Sequence, residues 1–347
     1  MRHPHGLRAA AAAAGGGGGS AIAVGHATSP FISVYPWSSG FGTKYANPAT
    51  LPAADGYGVA FSPDGANIAV SHANSPYISV YPWSSGFGTK YANPATLPVL
   101  AGFGVAFSPD GANIAVTQYD YALGGTSIGV YPWSSGFGTK YANPATLPTG
   151  TGTGVAFSPD GANIAVAHNT TPFISVYPWS SGFGTKYANP ATLPTGTGYG
   201  VAFSPDSANI AVAHNTTPFI SVYPWSSGFG TKRANPATLP AGTGFGVAFS
   251  PDGANIAVSH ANSPYISVYP WSSGFGTKRA NPATLPAGPP TLGGSVAFSP
   301  DGANIAVAHN TTPFISVYPW SSGFGTKYAN PATLPAGDAY GVAFNPL

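Results

Sequence analysis

The chain has 347 residues, a formal net charge of +2, only 6% charged residues and no Glu. So little charge cannot build the basic stripe that phosphate binding needs, which excludes nucleic acid as a partner. The absence of Cys excludes disulfides and thiolate metal sites, and no run of 18 apolar residues is present to span a membrane as a helix.

Residues 1–20 run from an Arg/His-containing start through an alanine run (Ala9 to Ala14) and a glycine tract to Ser20. The order loosely imitates a signal peptide, but alanine makes a weak apolar region and the glycines would break it. These 20 residues are expected to be a flexible tail, with 21–347 forming one domain. Gly (47) and Pro (37) make up almost a quarter of the chain. The 43% hydrophobic content and a strict repeat nevertheless point to a packed all-β protein.

The repeat is anchored by Val34-Tyr-Pro-Trp-Ser-Ser-Gly-Phe-Gly-Thr-Lys-Tyr-Ala-Asn-Pro-Ala-Thr-Leu-Pro52, which occurs seven times with variation only at Tyr45 (Arg233 and Arg279 in two copies). The period is 46 residues with two longer intervals, in the range of propellers and solenoids. From Gly58 a complete unit can be followed. Gly58 to Phe61 is a short strand, and Ser62-Pro-Asp-Gly65 a turn in which Pro presets φ and Gly accepts a positive value. Asn67 to Val70 is the next strand, His72 to Pro76 a loop, and Tyr77 to Tyr81 the third strand. Lys90 to Leu97 is expected to be an irregular fourth strand at the edge, since Pro94 cannot donate to a ladder.

Val59/Phe61, Ile68/Val70 and Ile78/Val80 are expected to share one bulky face, with small residues (Gly58, Ala60, Ala69, Ser71, Ser79) on the other. Bulky face against small face would then stack successive blades. The chain opens on what should be a second strand, Ala21 to Val24, and ends in an orphan first strand, Tyr340 to Phe344. Joining the two closes a ring of seven four-stranded blades and removes the exposed edges. The expected architecture is an all-β, closed, seven-bladed β-propeller forming a monomeric ring.

The Val-Ala-Phe-Ser-Pro-Asp-Gly unit (Val59 to Gly65, again from Val105, Val155, Val247 and Val296, with Ser207 replacing Gly once) leads into Asn-Ile-Ala-Val and Ile-Ser-Val-Tyr. This pattern resembles the repeats of YVTN-type and WD40-like β-propellers over roughly residues 21 to 347. The resemblance implies the fold; such propellers serve as scaffolds, lectin-like binders and, in some cases, enzymes. The Trp-Asp dipeptide of WD40 blades is missing.

Differences between repeats fall in two loops expected on one face of the disc: the loop after the second strand and the connection into the next first strand. The first includes the divergent Gln118-Tyr-Asp-Tyr-Ala-Leu-Gly-Gly-Thr126. Two readings stand for this face, partner contact and ordinary loop drift. Six histidines (His26, His72, His168, His214, His260, His309) hold one equivalent loop position, either as hydrogen-bonded caps or as a ligand-contact ring. They are expected too far apart to share a metal ion, and no cofactor is expected. The seven Trp are either core packing or aromatic platforms for sugars. The six Asp of the Ser-Pro-Asp turns read as turn caps, and three Asn-Thr-Thr triplets match the glycosylation sequon.

Near-identical blades supply the same groups at different places, whereas acid-base or nucleophilic chemistry needs different groups converging. The expectation is therefore a non-enzymatic platform that presents its variable face to a protein partner. Its binding residues would be the six histidines with Tyr119, Asp120 and Tyr121. A multivalent lectin for glycans and a component of a larger assembly are the alternatives.

Overall fold

A computed structural model describes residues 20–119, 127–291 and 296–346. Among them lie 21 strands and no helix. The strands form seven antiparallel sheets of three, ordered inner, middle, outer. The second sheet is representative: inner Gly56–Phe61, middle Asn67–His72 and outer Ile78–Pro82.

The first sheet is completed by the C-terminal strand. Ala339–Phe344 pairs with Ala21–His26 in the register Val24 to Val342, and Ala21–His26 in turn pairs with Ile32–Pro36. Each inner strand touches the inner strand of the next sheet, and Ala339–Phe344 touches Gly56–Phe61, so the contacts run in a full circle. The arrangement is propeller-like.

No regular fourth strand is present among the described residues, and the expected edge segment pairs with the outer strand only at its start. After the outer strand a single bridge pairs Trp83 with Phe87, and Tyr91 donates its N–H to the Val80 carbonyl at 3.0 Å. Beyond that point the Asn-Pro-Ala-Thr-Leu-Pro segment carries no ladder bonds, because its prolines lack the donors a ladder requires.

The assignment of faces is also corrected. Ala69 lies opposite Val80 and Val70 opposite Ser79, so Ile78 and Val80 share the face of Ala69 and not that of Ile68 and Val70. Each interface between sheets therefore has the same make-up. Ala21, Ala23, Ile32 and Val34 of the first sheet pack on Val59, Phe61, Ile68, Val70, Tyr81 and Trp83 of the second. The closing seam repeats it, with Ala306, Ala308, Ile315 and Val317 against Ile22, Val24, Tyr35 and Trp37. Small middle-strand residues make room for the bulky face of the neighbour, and large outer-strand residues fill the wider gap away from the axis.

Near the axis the inner strands approach so closely that a side chain is excluded. A Cβ built on Gly58 would sit 2.5 Å from the Phe103 carbonyl oxygen, and one on Gly341 2.5 Å from that of Tyr57. Glycine is required there for space.

Candidate functional site

The Ser-Pro-Asp turns are self-contained. Ser62 Oγ donates to Asp64 Oδ1, which also accepts the Ala66 N–H at 3.0 Å, while the Asn67 N–H donates to Ser62 Oγ at 2.9 Å. The same bonds recur around Asp110, Asp160, Asp206, Asp252 and Asp301. These carboxylates are occupied as turn caps.

The six histidines are fully buried, with 0% exposure. Five end a middle strand and His309 directly follows one; each places Nε2 at 2.9 to 3.1 Å from a serine hydroxyl of the adjoining outer strand: Ser33, Ser79, Ser175, Ser221, Ser267 and Ser316. In His72, His168 and His260, Nδ1 donates to a loop carbonyl (Asn74, Thr170, Asn262) at 2.7 to 2.9 Å, so Nε2 accepts from the serine. Burial pushes all six down to about 4, which keeps them neutral. Their rings hold the loop and present no surface for a ligand, so the geometry matches the cap reading and not a contact ring. In the divergent sheet the equivalent residue is Gln118, equally buried.

The tryptophans are 2 to 7% exposed and sit in edge-to-face clusters; Trp83 meets Phe61, Phe87 and Tyr45. They are core residues, so no repeated aromatic platform is available to a glycan. Tyr119 is 36% exposed, its ring 6.0 Å from that of Phe103. Asp120 and Tyr121 lie outside the described residues.

The described residues that differ most from sheet to sheet surround the axis. A throat of about 160 Å³ lies at the axis, lined by the Gly-Val pairs of the inner strands, with no Lys or Arg among the described lining residues. At its mouth on the variable face, the second residue of successive inner strands reads Tyr57, Phe103, Thr153, Tyr199, Phe245 and, in the closing strand, Tyr340. Tyr57 packs between Tyr340 (edge-to-face, 4.9 Å between centroids) and Phe103 (tilted, 5.1 Å), and Tyr199 packs on Phe245 at 5.5 Å. Two positions before these aromatics the chain reads Asp55, Ala101, Thr151, Thr197 and Thr243, then Asp338. Asp55 and Asp338 thus hold equivalent positions on the two neighbouring inner strands of one seam, both half-buried. Their backbone carbonyls are pinned by the N–H groups of Ala73 (3.2 Å) and Ala27 (2.9 Å).

The side chains feel one another. Tyr340 is pushed up to about 12 by burial and then by the negative fields of Tyr57, Asp55 and Asp338. Tyr57 is raised by burial and by Asp55. Two carboxylates beside two tyrosines held protonated give the mouth a proton acceptor and a proton donor. Sequence reasoning passed over Asp55 and Asp338. The signal was there, since apart from Asp120 they are the only acidic residues outside the Ser-Pro-Asp turns.

No protein-family model matches the sequence and no curated protein is similar to it. The fold, however, is shared by solved structures. A Pseudomonas aeruginosa periplasmic gluconolactonase is similar at 17% identity, TM-score 0.70, over 94% of this chain and 99% of its own. A Bacteroides uniformis protein provisionally named a 6-phosphogluconolactonase gives 17% identity and TM-score 0.68 over 94% and 99%. A Desulfotomaculum acetoxidans protein of unknown function gives 14% identity and TM-score 0.69 over 94% and 98%. These likenesses overturn the expectation of a non-enzymatic scaffold: proteins named as lactonases share this fold. The physical objection fails at the mouth, where neighbouring sheets supply different groups.

Proposed function

We propose that the chain is a hydrolase of uncharged sugar lactones, acting at the axial mouth of the variable face. The observation that carries this reading is the meeting of Asp55 and Asp338 with Tyr57 and Tyr340 at one seam. In this chemistry a carboxylate of the pair takes a proton from water as the oxygen attacks the lactone carbonyl. The ring C–O bond then breaks, and a protonated tyrosine, Tyr340 or Tyr57, delivers a proton to the departing alkoxide. The product is the open hydroxy acid, and the proton taken by the carboxylate returns the tyrosine to its neutral form through solvent. The aromatic rim suits the apolar face of a sugar ring. The Ser-Pro-Asp-Gly turns support placing the ring among seven-bladed propellers of the YVTN-like repeat type.

The substrate follows from charge. The named neighbours include both phosphorylated and unphosphorylated lactone activities. Here the charges acting on Tyr340 are all negative and, among the described residues, no Lys or Arg lines the throat. A phosphate would meet two carboxylates with no cation to offset them. The expected kcat/KM for glucono-δ-lactone exceeds that for its 6-phosphate by on the order of tenfold or more, since one such repulsion is worth roughly 1.4 kcal/mol. Titration of released acid in weak buffer checks this; equal or faster turnover of the phosphorylated lactone would refute the assignment.

A further inference from the structure

The aromatic rim is interrupted once among the described residues, at Thr153, between Phe103 and Tyr199. The threonine leaves a cavity of about 240 Å³ lined by Phe103, Tyr119, Thr151, Thr153, Asn169, Thr197 and Tyr199. Its position is fixed by the fold. Thr153 occupies the place that Tyr57, Phe103, Tyr199, Phe245 and Tyr340 fill with a ring, and Thr153 Oγ1 is turned down to the Ala167 and Gly198 carbonyls at 3.0 and 2.6 Å. The space that an aromatic ring would occupy is open, with an aromatic wall on either side.

We infer that this cavity is a subsite for a neutral hexose ring. As a binding site it stands alone; as part of the substrate site it rests on the hydrolase reading, and then makes the preferred substrate a lactone that carries a glycosyl residue. Four features support a sugar over other ligands. The volume is that of one small ring with its water, well below a drug-sized pocket. Phe103, Tyr199 and Tyr119 offer apolar faces for the C–H side of a pyranose. Asn169 and Thr197 supply uncharged polar groups for hydroxyls, and Asn169 is held in place by the Thr151 N–H donating to its Oδ1 at 2.9 Å. Among the described residues no charged side chain lines the cavity, which disfavours phosphates, amines and carboxylates alike. The cavity also adjoins the seam site directly: Phe103 forms its wall and packs on Tyr57, which is within the field of Asp55.

The test uses the full chain and cellobiose as the probe, read by saturation-transfer NMR. Cellobiose protons are expected to receive transfer from wild-type protein and from Asp55→Asn. Thr153→Tyr restores the ring found at the equivalent positions and should weaken binding at least tenfold. Tyr199→Ala, which removes a wall and not the space, should weaken it as well. Kinetically, Thr153→Tyr should raise KM tenfold for the glucosyl-extended lactone of cellobionic acid and leave KM for glucono-δ-lactone unchanged. Absence of transfer to cellobiose in the wild type, or undiminished transfer in Thr153→Tyr, would overturn the subsite. Cellobiose binding without hydrolysis of either lactone would refute the hydrolase reading and leave the sugar site standing. Hydrolysis of glucono-δ-lactone without cellobiose binding would do the reverse.

Discussion

On lowering the pH from 7.5 to about 5, the ring is expected to unfold in one steep transition. Six histidines, each at 0% exposure, are held near 4 by burial, below their ordinary value of 6.5. A group whose folded value is depressed binds its proton more readily when unfolded. Its contribution is therefore complete above 6.5 and is lost as the pH falls toward 4. One unit below 6.5 each histidine costs about 1.4 kcal/mol, so six cost roughly 8 kcal/mol, a figure comparable with the whole stability of an ordinary domain. The divergent sheet shows the remedy, because Gln118 is buried at the same position without a titrating ring. Replacing His72, His168 and His260 together by Gln should move the acid midpoint, followed by far-UV circular dichroism, down by at least half a pH unit. A midpoint below pH 4 in the wild type would contradict this account.

The second large effect concerns the joints between sheets. Seven tyrosines, Tyr35, Tyr81, Tyr131, Tyr177, Tyr223, Tyr269 and Tyr318, are fully buried. Each donates its hydroxyl across the interface to a threonine carbonyl of the preceding repeat at 2.8 to 2.9 Å. Tyr35 makes this bond to Thr333 and so ties the first sheet to the end of the chain. Tyr35→Ala should cost about 3–5 kcal/mol through the cavity it leaves. Tyr35→Phe keeps the ring in the interface and should cost only about 1 kcal/mol, the net value of one hydrogen bond. Urea denaturation of the two variants beside Tyr177→Ala checks both numbers. If Tyr35→Ala stays within about 1 kcal/mol of the wild type, the closing seam does not carry the load assigned to it.

Much of this architecture was legible in the residues. The Val59/Phe61 and Ile68/Val70 alternation located the inner and middle strands, and the orphan strand from Tyr340 to Phe344 announced ring closure, found in its pairing with Ala21–His26. What was not legible depended on register. Whether Val80 stands beside Val70 or beside Ala69 is decided by the loop at His72, where Tyr77 adopts φ 67° and its carbonyl accepts the His72 N–H at 3.0 Å. The histidines misled for a related reason. Their polar character suggested a surface, but the serine seven residues on lies opposite in the outer strand and satisfies them inside the sheet. The mouth was obscured by the repeat itself. The lengthened loop at Tyr119 stands out in the repeat, while single exchanges such as Asp55 and Thr153, invisible to a comparison of loop lengths, shape the axis.

In the proposed reaction the carboxylates at one seam of the axial mouth drive lactone hydrolysis. The most direct measurement compares glucono-δ-lactone hydrolysis by wild-type protein and by the Asp55→Asn, Asp338→Asn double variant. Both substitutions leave the backbone carbonyls that hold Ala73 and Ala27 in place, and each protein is confirmed folded by its circular dichroism and denaturation midpoint. The account predicts turnover well above the spontaneous rate in the wild type and a fall of about 100-fold or more in the double variant, the usual worth of general acid-base groups. Equal rates in the two proteins, or a wild-type rate no faster than buffer, would contradict it.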